Sequence, residues 1–253
     1  MTEGDVQRTI ARDLLDCGLR PGAAVLVHSS LSSLGHVPGG PETVIRAFLE
    51  ALGPEGTLLL PALSYEHVGP KQRVFDVRRT PSNVGAIPEH FRTREGTRRS
   101  VCPTHSVCAY GPQTEALVGG HHLDETPCGA HSPFRALRDV GGQVVFLGCG
   151  LRPNTSMHGV EELAQPPYLF GEMVTYRVLW PDAQETAQPC RAHDFRGYAQ
   201  RYDRIEPLLK KGAEIAVGPV LQARTYILEA RAMWERALAA LAKDKLHFVD
   251  PCD

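Results

Sequence analysis

Apolar and polar residues recur along the first sixty positions with the periods of alternating helices and strands. Residues 6–17 repeat their apolar positions with helical period, and Gly18 is a typical residue for the end of that helix. The short apolar run 23–28 predicts a buried strand, and residues 57–61 predict a second one. Between them, a proline suits the first position of a helix over residues 41–52.

The middle of the chain is less regular. Residues 64–81 predict a long loop, residues 86–92 predict a helix, and residues 144–148 predict a buried strand that follows a short helix. Farther along, residues 168–178 predict peripheral strands, and residues 181–196 predict a polar excursion.

Near the end, apolar residues recur with helical period from residue 218 to residue 241, which predicts one packing helix. Together these elements predict an α/β fold. We expect a single domain over residues 1–253, with a mixed central sheet flanked by helices.

Composition narrows the class of protein. Hydrophobic residues make up 42% and charged residues 22%, as in ordinary globular proteins, and the formal net charge is -2. We therefore expect no nucleic-acid partner and no membrane partner. The seven cysteines are an odd number without a C-x-x-C pair, which favours reduced thiols and a cytoplasmic location.

The most informative stretch follows the strand predicted at residues 144–148. Asn154, Thr155 or Ser156 suits the N-cap of a helix, and this places His158 in the first turn with Glu161 three residues later. A carboxylate on the same face holds an imidazole in one tautomer and stabilises its protonated form. The pair predicts a general base with its orienting group; the alternative is a solvated surface pair.

Two loops leave alternatives open. Residues 29–35 form a loop of small polar residues between a strand and a helix, which suits either an anion site or an ordinary connection. The loop over residues 64–81 carries Tyr65, Glu66 and Asp76, which suit a cationic ligand. It also fits a flexible surface excursion.

Cys102, His105 and Cys108 lie close together in the sequence, but their spacing is not that of a zinc site. We interpret the two cysteines as packing residues. We therefore expect no bound metal and no thiol nucleophile here.

Several short stretches resemble, in order and over about residues 10–165, the aminoglycoside 3-N-acetyltransferase family. They are Val27-His28-Ser29-Ser30-Leu31 with Ser33-Leu34-Gly35 and Gly39-Gly40; residues 52–58 with Pro61; Thr80-Pro81-Ser82 with Gly85; Arg99-Ser100 with Pro103-Thr104-His105-Ser106; Ser132-Pro133; and Leu147-Gly148 through Asn154-Thr155-Ser156-Met157-His158 and Glu161. The chain differs from the family pattern at Cys102, where a histidine is usual, and at Leu221, where a glycine is expected.

The resemblance implies acetyl-coenzyme A as co-substrate, no metal, and an aminoglycoside or another amine as acceptor. It implies a catalytic role for His158, Glu161 and Thr155. The residues implied to bind the coenzyme are Ser29, Ser30, Leu31, Ser32, Ser33, Leu34, Gly35, Ser106 and Val107. Those expected to bind the acceptor are Tyr65, Glu66, Asp76, Asp124 and Glu162.

The implied reaction acetylates the 3-amino group of an aminoglycoside by direct transfer, with a histidine as general base. Thr155 then donates a hydrogen bond to the thioester oxygen or to the leaving sulfur. Two other functions remain open. One is a similar acetyltransferase that acts on another amine in secondary metabolism, and the other is a non-catalytic coenzyme A-binding protein.

Overall fold

The structure is a computed structural model, and it describes residues 2–252. Its helices are α1 (Glu3–Asp16), α2 (Pro41–Leu52), α3 (Ala86–Thr93), α4 (Thr114–Val118), α5 (Pro133–Asp139), α6 (Ser156–Ala164) and α7 (Ala230–Lys243). Short 3-10 helices span Leu31–Leu34, His121–Leu123 and Tyr202–Leu208. The strands are β1 (Ala24–Ser29), β2 (Thr57–Pro61), β3 (Val74–Asp76), β4 (Arg98–Arg99), β5 (Val107–Tyr110), β6 (Gln143–Leu147), β7 (Phe170–Leu179), β8 (Glu185–His193), β9 (Tyr198–Gln200), β10 (Ile215–Val220), β11 (Ala223–Glu229) and β12 (Val249–Pro251).

A seven-stranded mixed sheet in the order β10-β11-β6-β1-β2-β5-β4 forms the centre of the fold. Strand β1 pairs in parallel with β2 and β6, whereas the outer neighbours β5 and β11 are antiparallel. Helices cover both faces of this sheet. The predicted α/β class with a mixed central sheet is confirmed.

Alternation along β1 explains why both faces are covered. Val25 and Val27 pack in a cluster with α1, α2 and α3, whereas Ala24 and Leu26 pack in a second cluster with α5, α6 and α7. Because every second side chain points to the opposite face, a strand that is apolar throughout needs a layer on each side.

The prediction of one helix over residues 218–241 is wrong in its first half. Strands β10 and β11 form an antiparallel hairpin, and the helix α7 begins only at Ala230. Strand β11 lies against β6 inside the sheet and is buried on both faces, so most of its positions are apolar. Periodicity alone does not separate such a strand from a buried helix.

The predicted excursion over residues 181–196 contains the nine-residue strand β8, which pairs with β7. The predicted loop over residues 64–81 contains the short strand β3, which pairs with the other edge of β7. These three strands form a second sheet beside the central one. Strand β8 alternates exposed positions with more buried ones, but its inward positions include Thr186 and Gln188, so the sequence shows no apolar alternation there.

A helix able to cross a membrane would have to be both long and apolar, and the helices of residues 2–252 include none of that kind. For the site, the important point is where the strands end. The carboxyl ends of the parallel strands β1, β2 and β6 meet at one edge of the sheet, and α6 begins nine residues after β6, at Ser156. Ligands of open α/β sheets bind at such edges.

Candidate active site

A cavity of about 770 Å³ opens at the carboxyl ends of the parallel strands. It is bounded by the end of β1, the start of α6, the end of β8 and the 3-10 helix Tyr202–Leu208. Its lining consists of Val27, His28, Ser29, Pro61, Leu63, Tyr65, Val84, Pro88, His105, Cys149, Arg152, Pro153, Asn154, Thr155, His158, His193, Phe195, Gln200 and Tyr202.

His158 lies in the first turn of α6, as the sequence predicts, and lines this cavity. Its Nδ1 atom is 3.4 Å from Oε2 of Glu161, which lies one helical turn later and is fully buried. The predicted pair therefore forms, and it is buried rather than solvated. At 3.4 Å the contact is long for a hydrogen bond.

Two tyrosines complete the surroundings of the Glu161 carboxylate. Tyr168 Oη donates to Oε1 at 2.8 Å, and Tyr202 Oη donates to Oε2 at 2.7 Å. Tyr202 Oη is also 2.9 Å from His158 Nδ1. Burial and the charge of Glu161 raise the pKa of both phenols, so both keep their protons.

The neighbouring carboxylate, Glu162, serves a different histidine. Its Oε1 atom is 2.9 Å from His193 Nε2 and accepts the Cys128 backbone N–H at 2.7 Å, while Oε2 accepts the Thr126 hydroxyl at 2.6 Å. Burial raises the pKa of Glu162, and this effect outweighs the hydrogen bonds from Thr126 and Cys128, which lower it. His193 lies at the end of β8 and lines the cavity. Glu162 is not part of the lining and contacts His193 from behind it.

Three imidazoles form a triangle in the cavity wall, because the ring centres of His105, His158 and His193 are 5.3 to 5.4 Å apart. Burial, reinforced by the charge of His158, lowers the pKa of His105 and His193 well below the usual value. The same causes lower the pKa of His28 to about 3.

No group of three or more His, Cys, Asp or Glu side chains among residues 2–252 is arranged to hold a metal ion. The Nδ1 atom of His105 forms a hydrogen bond with the Thr104 hydroxyl at 2.8 Å. Cys102 and Cys108 are buried thiols whose pKa is raised to about 12 by burial. Their environment is that of packing residues.

A second cavity of about 610 Å³ adjoins the first, and Ser29 lines both. Its wall includes four more residues of the predicted coenzyme loop, namely Ser30, Leu31, Ser32 and Gly35. Two members of that loop lie outside the lining. The Ser33 hydroxyl bonds to Ser30 and to the Gly148 carbonyl, and Leu34 is buried in the core beneath the loop.

Ser106 and Val107, which are predicted to contact the coenzyme, line neither of these two cavities. Both are fully buried. The Ser106 hydroxyl is occupied by Arg99 and the Ala62 carbonyl, because the fold uses it to hold a buried guanidinium.

The residues predicted to bind the acceptor are scattered. Tyr65 lines the main cavity, but Glu66 is an exposed residue outside the lining. Asp76 accepts backbone N–H groups of its own turn, from Arg78 and Arg79. Asp124 is buried against His131. None of these carboxylates lines the cavity, because local turns and loops orient them elsewhere.

Thr155 lines the main cavity at the N-cap position of α6, about one helical turn before His158. His28, His193 and Tyr202 also line the cavity, and sequence analysis did not select them. His28 lies within one of the motif stretches, whereas nothing in the local pattern marks the other two.

The family model of the aminoglycoside 3-N-acetyltransferases matches residues 26–242 of this chain. This range includes every cavity residue named above. The chain belongs to this family. The aminoglycoside N(3)-acetyltransferase VII of Streptomyces paromomycinus is 37% identical over 184 residues, which is 66% of this chain and 64% of that relative. This alignment therefore spans less than two thirds of the relative's length.

Aminoglycoside N(3)-acetyltransferase IV of a Salmonella species is 30% identical over 247 residues, covering 94% of this chain and 88% of the relative. Among solved structures, a histidine-to-alanine mutant of AAC(3)-IVa in complex with gentamicin has a TM-score of 0.82 and 28% identity, covering 100% of this chain and 94% of that one. AAC-IIIb with coenzyme A has a TM-score of 0.79 and 27% identity, with 100% and 99% covered. The aminoglycoside 3-N-acetyltransferase fold thus extends over the C-terminal third, where the sequence motifs end.

Proposed function

We propose that this chain transfers the acetyl group of acetyl-coenzyme A to the 3-amino group of an aminoglycoside, with His158 as general base. The observation that carries the proposal is a buried histidine–carboxylate pair in the wall of the main cavity of an acetyltransferase fold. Related structures with gentamicin and with coenzyme A support the two substrates. Because acetyl-coenzyme A is a cytosolic metabolite, the proposal places the reaction in the cytoplasm.

The chemical step starts with an amine that is mostly protonated at neutral pH and must lose a proton to become a nucleophile. One proton of the ammonium group passes to solvent, and His158 takes a second proton from the nitrogen as the neutral amine attacks the thioester carbonyl carbon. The carbon–nitrogen bond forms, and negative charge develops on the carbonyl oxygen. Collapse of this intermediate breaks the carbon–sulfur bond, and the leaving thiolate takes the proton from His158.

Thr155 is suited to stabilise the developing charge, because it lines the same cavity as His158 and its side chain carries a hydroxyl donor. A donor aimed at an oxyanion in a buried site is worth several kcal/mol, about 3 kcal/mol for one hydrogen bond. The second cavity supports a place for the coenzyme. Ser29 lines both cavities. A coenzyme bound along the serine loop would therefore extend its thioester into the main cavity.

Direct transfer is favoured over an acyl-enzyme by the state of the one cysteine in the cavity lining. Burial raises the pKa of Cys149 to about 12, and its thiol donates to the Gly150 carbonyl. The nucleophilic form of cysteine is the thiolate, so this thiol is a poor nucleophile at neutral pH.

A second candidate acceptor is an amine with fewer charges. The described residues that line the main cavity include no carboxylate, and they include one cation, Arg152. Glu161 and Glu162 lie behind the histidines. A polycationic acceptor gains from carboxylates in direct contact, so this lining favours a smaller amine more than a bare family assignment does.

The test is thiol release from acetyl-coenzyme A by the purified chain with gentamicin, kanamycin, apramycin and spermidine. We expect turnover with an aminoglycoside, and NMR of the product should show the acetyl group on the 3-amino nitrogen. Turnover with spermidine alone would move the assignment to the second candidate. The absence of turnover with all four, despite coenzyme binding, would contradict the proposal.

A matched pair of histidine variants tests the base. His158→Asn should lower kcat by about 10²–10⁴-fold while calorimetric coenzyme binding persists. His122→Asn changes an exposed histidine outside both cavities and should leave kcat unaltered. Equal rates for wild type and His158→Asn would remove His158 from the mechanism.

A further inference from the structure

We propose that Tyr202 is a positioning residue that links His158 to Glu161 and sets the tautomer of the base. The inference rests on the proposed function for its kinetic consequence. Tyr202 lies 44 residues after His158 in the chain, outside all the motif stretches of the sequence. Its phenol oxygen nevertheless lies closer to His158 Nδ1 than the Glu161 carboxylate does, at 2.9 Å against 3.4 Å.

Proton counting gives the direction of each hydrogen bond. A phenol has one hydrogen to donate, and a carboxylate only accepts. The Tyr202 hydrogen therefore points to Glu161 Oε2 at 2.7 Å, which leaves a lone pair of Oη facing His158 Nδ1. That lone pair requires a hydrogen on Nδ1. The Nε2 atom is then the free acceptor, as proton removal from an amine requires.

The arrangement is stable because Tyr202 does not ionise. Burial and the charge of Glu161 raise its pKa well above the usual value. Tyr202 therefore acts as a fixed dipole between the imidazole and the carboxylate. When His158 takes a proton from the amine, Tyr202 Oη faces the cation and is itself polarised by Glu161.

The backbone that carries Tyr202 is held by the C-terminal strand. The preceding residue, Arg201, donates its backbone N–H to the Phe248 carbonyl at 2.8 Å, and its guanidinium is 2.5 Å from Asp250. Arg204 also bonds to Asp250 and to the Val249 carbonyl. The end of the chain thus fixes the 3-10 helix that places Oη, and this gives the C-terminal third a role in the site.

Tyr168 provides a matched control within the same network. Its phenol also donates to Glu161, at 2.8 Å, but to the other oxygen, Oε1. Tyr168 forms no hydrogen bond with His158. Tyr168→Phe and Tyr202→Phe therefore remove the same group from the same carboxylate, and one of them also removes the partner of Nδ1.

The first measurement is the tautomer of His158 in the full chain, from long-range proton–nitrogen NMR of the imidazole rings, with His158→Asn to assign the signals. In the wild type we expect hydrogen on Nδ1 and none on Nε2 at a pH where the ring is neutral. Tyr202→Phe should give a mixture of tautomers, whereas Tyr168→Phe should keep the wild-type signal. A merely structural role for Tyr202 would leave the tautomer unaltered.

The second measurement is kinetic. Tyr202→Phe should lower kcat by about 10–100-fold with KM within about twofold, because the ring shape is kept and orientation of the base is lost. The loss in Tyr168→Phe should be at least about fivefold smaller. Circular dichroism and thermal unfolding of both variants establish that they are folded.

Two results would overturn the inference. One is an unaltered tautomer in Tyr202→Phe, and the other is an equal loss of kcat in the two tyrosine variants. Failure of the proposed function looks different, since His158→Asn would then turn over at the wild-type rate while the NMR result still reports on Tyr202. The kinetics of His158→Asn therefore test the proposed function, and the tautomer measurement separately tests the role of Tyr202.

Discussion

His193 Nε2 lies 2.9 Å from Glu162 Oε1, so two consecutive carboxylates on α6 serve two different histidines of one cavity. Consecutive residues on a helix point about 100° apart, which follows from 3.6 residues per turn. Glu161 therefore faces His158 and the tyrosines, while Glu162 faces His193 and the segment that carries Thr126 and Cys128.

The first prediction concerns this second carboxylate. Glu162→Ala leaves three buried or partly buried donors without their acceptor, so the free energy of unfolding should fall by about 3 kcal/mol. Urea denaturation measures the change. Glu185→Ala removes an exposed carboxylate of β8 and should change stability by less than about 0.5 kcal/mol. Similar losses in the two variants would contradict the account of Glu162.

The second prediction concerns pH. Burial lowers the pKa of His28 to about 3 and that of His121 to about 4, and it lowers the pKa of His105 and His193 well below the usual value. In the unfolded chain each of these side chains binds a proton with a pKa of about 6.5. Below that pH the unfolded state binds more protons, so stability falls as pH falls toward 4, by up to about 1.4 kcal/mol per pH unit for each histidine.

Urea denaturation at pH 7.5, 6.5 and 5.5 tests this prediction. The free energy of unfolding should drop between the last two values, and His28→Gln should make the drop smaller by about 1 kcal/mol. His36→Gln changes an exposed histidine and should leave the drop as it is. A pH-independent stability over this range would show that the buried histidines take up protons in the folded state.

The third prediction compares two adjacent arginines. Arg99 is buried and bonds to neutral groups, namely the Ala62, Val77 and Thr80 carbonyls and the Ser106 hydroxyl, and burial lowers its pKa to about 10. A lysine has three donors and lacks the planar fork, so Arg99→Lys should cost about 2 kcal/mol or more of unfolding free energy.

Arg98→Lys supplies the comparison for Arg99. The Arg98 guanidinium is half exposed and pairs with the exposed Glu115. Such surface pairs contribute little to the free energy of unfolding. We expect a change below about 0.5 kcal/mol in the same denaturation experiment. If both substitutions cost the same, the buried hydrogen bonds of Arg99 are not what holds the ends of β2 and β5 together.

The fourth prediction uses two helical glycines. An added Cβ at Gly159 in α6 would lie 2.3 Å from the Trp234 ring, which is buried in α7. Gly159→Ala should therefore destabilise the protein by about 2 kcal/mol, despite the better helix propensity of alanine, and should shift the tryptophan fluorescence.

Gly4 in α1 has more space, since the nearest atom to an added Cβ is a flexible arginine nitrogen of Arg8 at 3.4 Å. Gly4→Ala should raise the unfolding free energy by about 0.5 kcal/mol. Thermal unfolding of the two variants should thus move in opposite directions. A gain in stability for Gly159→Ala would mean that α6 and α7 separate easily.

Local patterns predicted much of the first half of the fold. The helix ending at Gly18, the helix opened by Pro41 and the strands β1, β2 and β6 all lie close to the predicted positions. The same rules failed for β11, because a central strand that is apolar on both faces has no two-residue alternation to detect. They also failed for β8, whose long pairing with β7 is a non-local contact.

The candidate site shows the same division. His158 and Glu161 were predictable because helical spacing alone places residues three apart on one face. His193 and Tyr202 come from a strand and a 3-10 helix that are distant in the chain, and no local pattern marks them. The acidic residues Glu66, Asp76 and Asp124 were chosen for their charge, but local turns and buried partners keep them out of the cavity lining.

The sequence by itself determined the α/β class, the order of its first elements and the histidine–carboxylate pair, because these depend on contacts within a few residues of one another. Tertiary structure alone decided that four histidines share one cavity, that three of them stay neutral, and that Tyr202 lies between His158 and Glu161. Burial and long-range packing set those properties, and both depend on how distant segments meet in the folded chain.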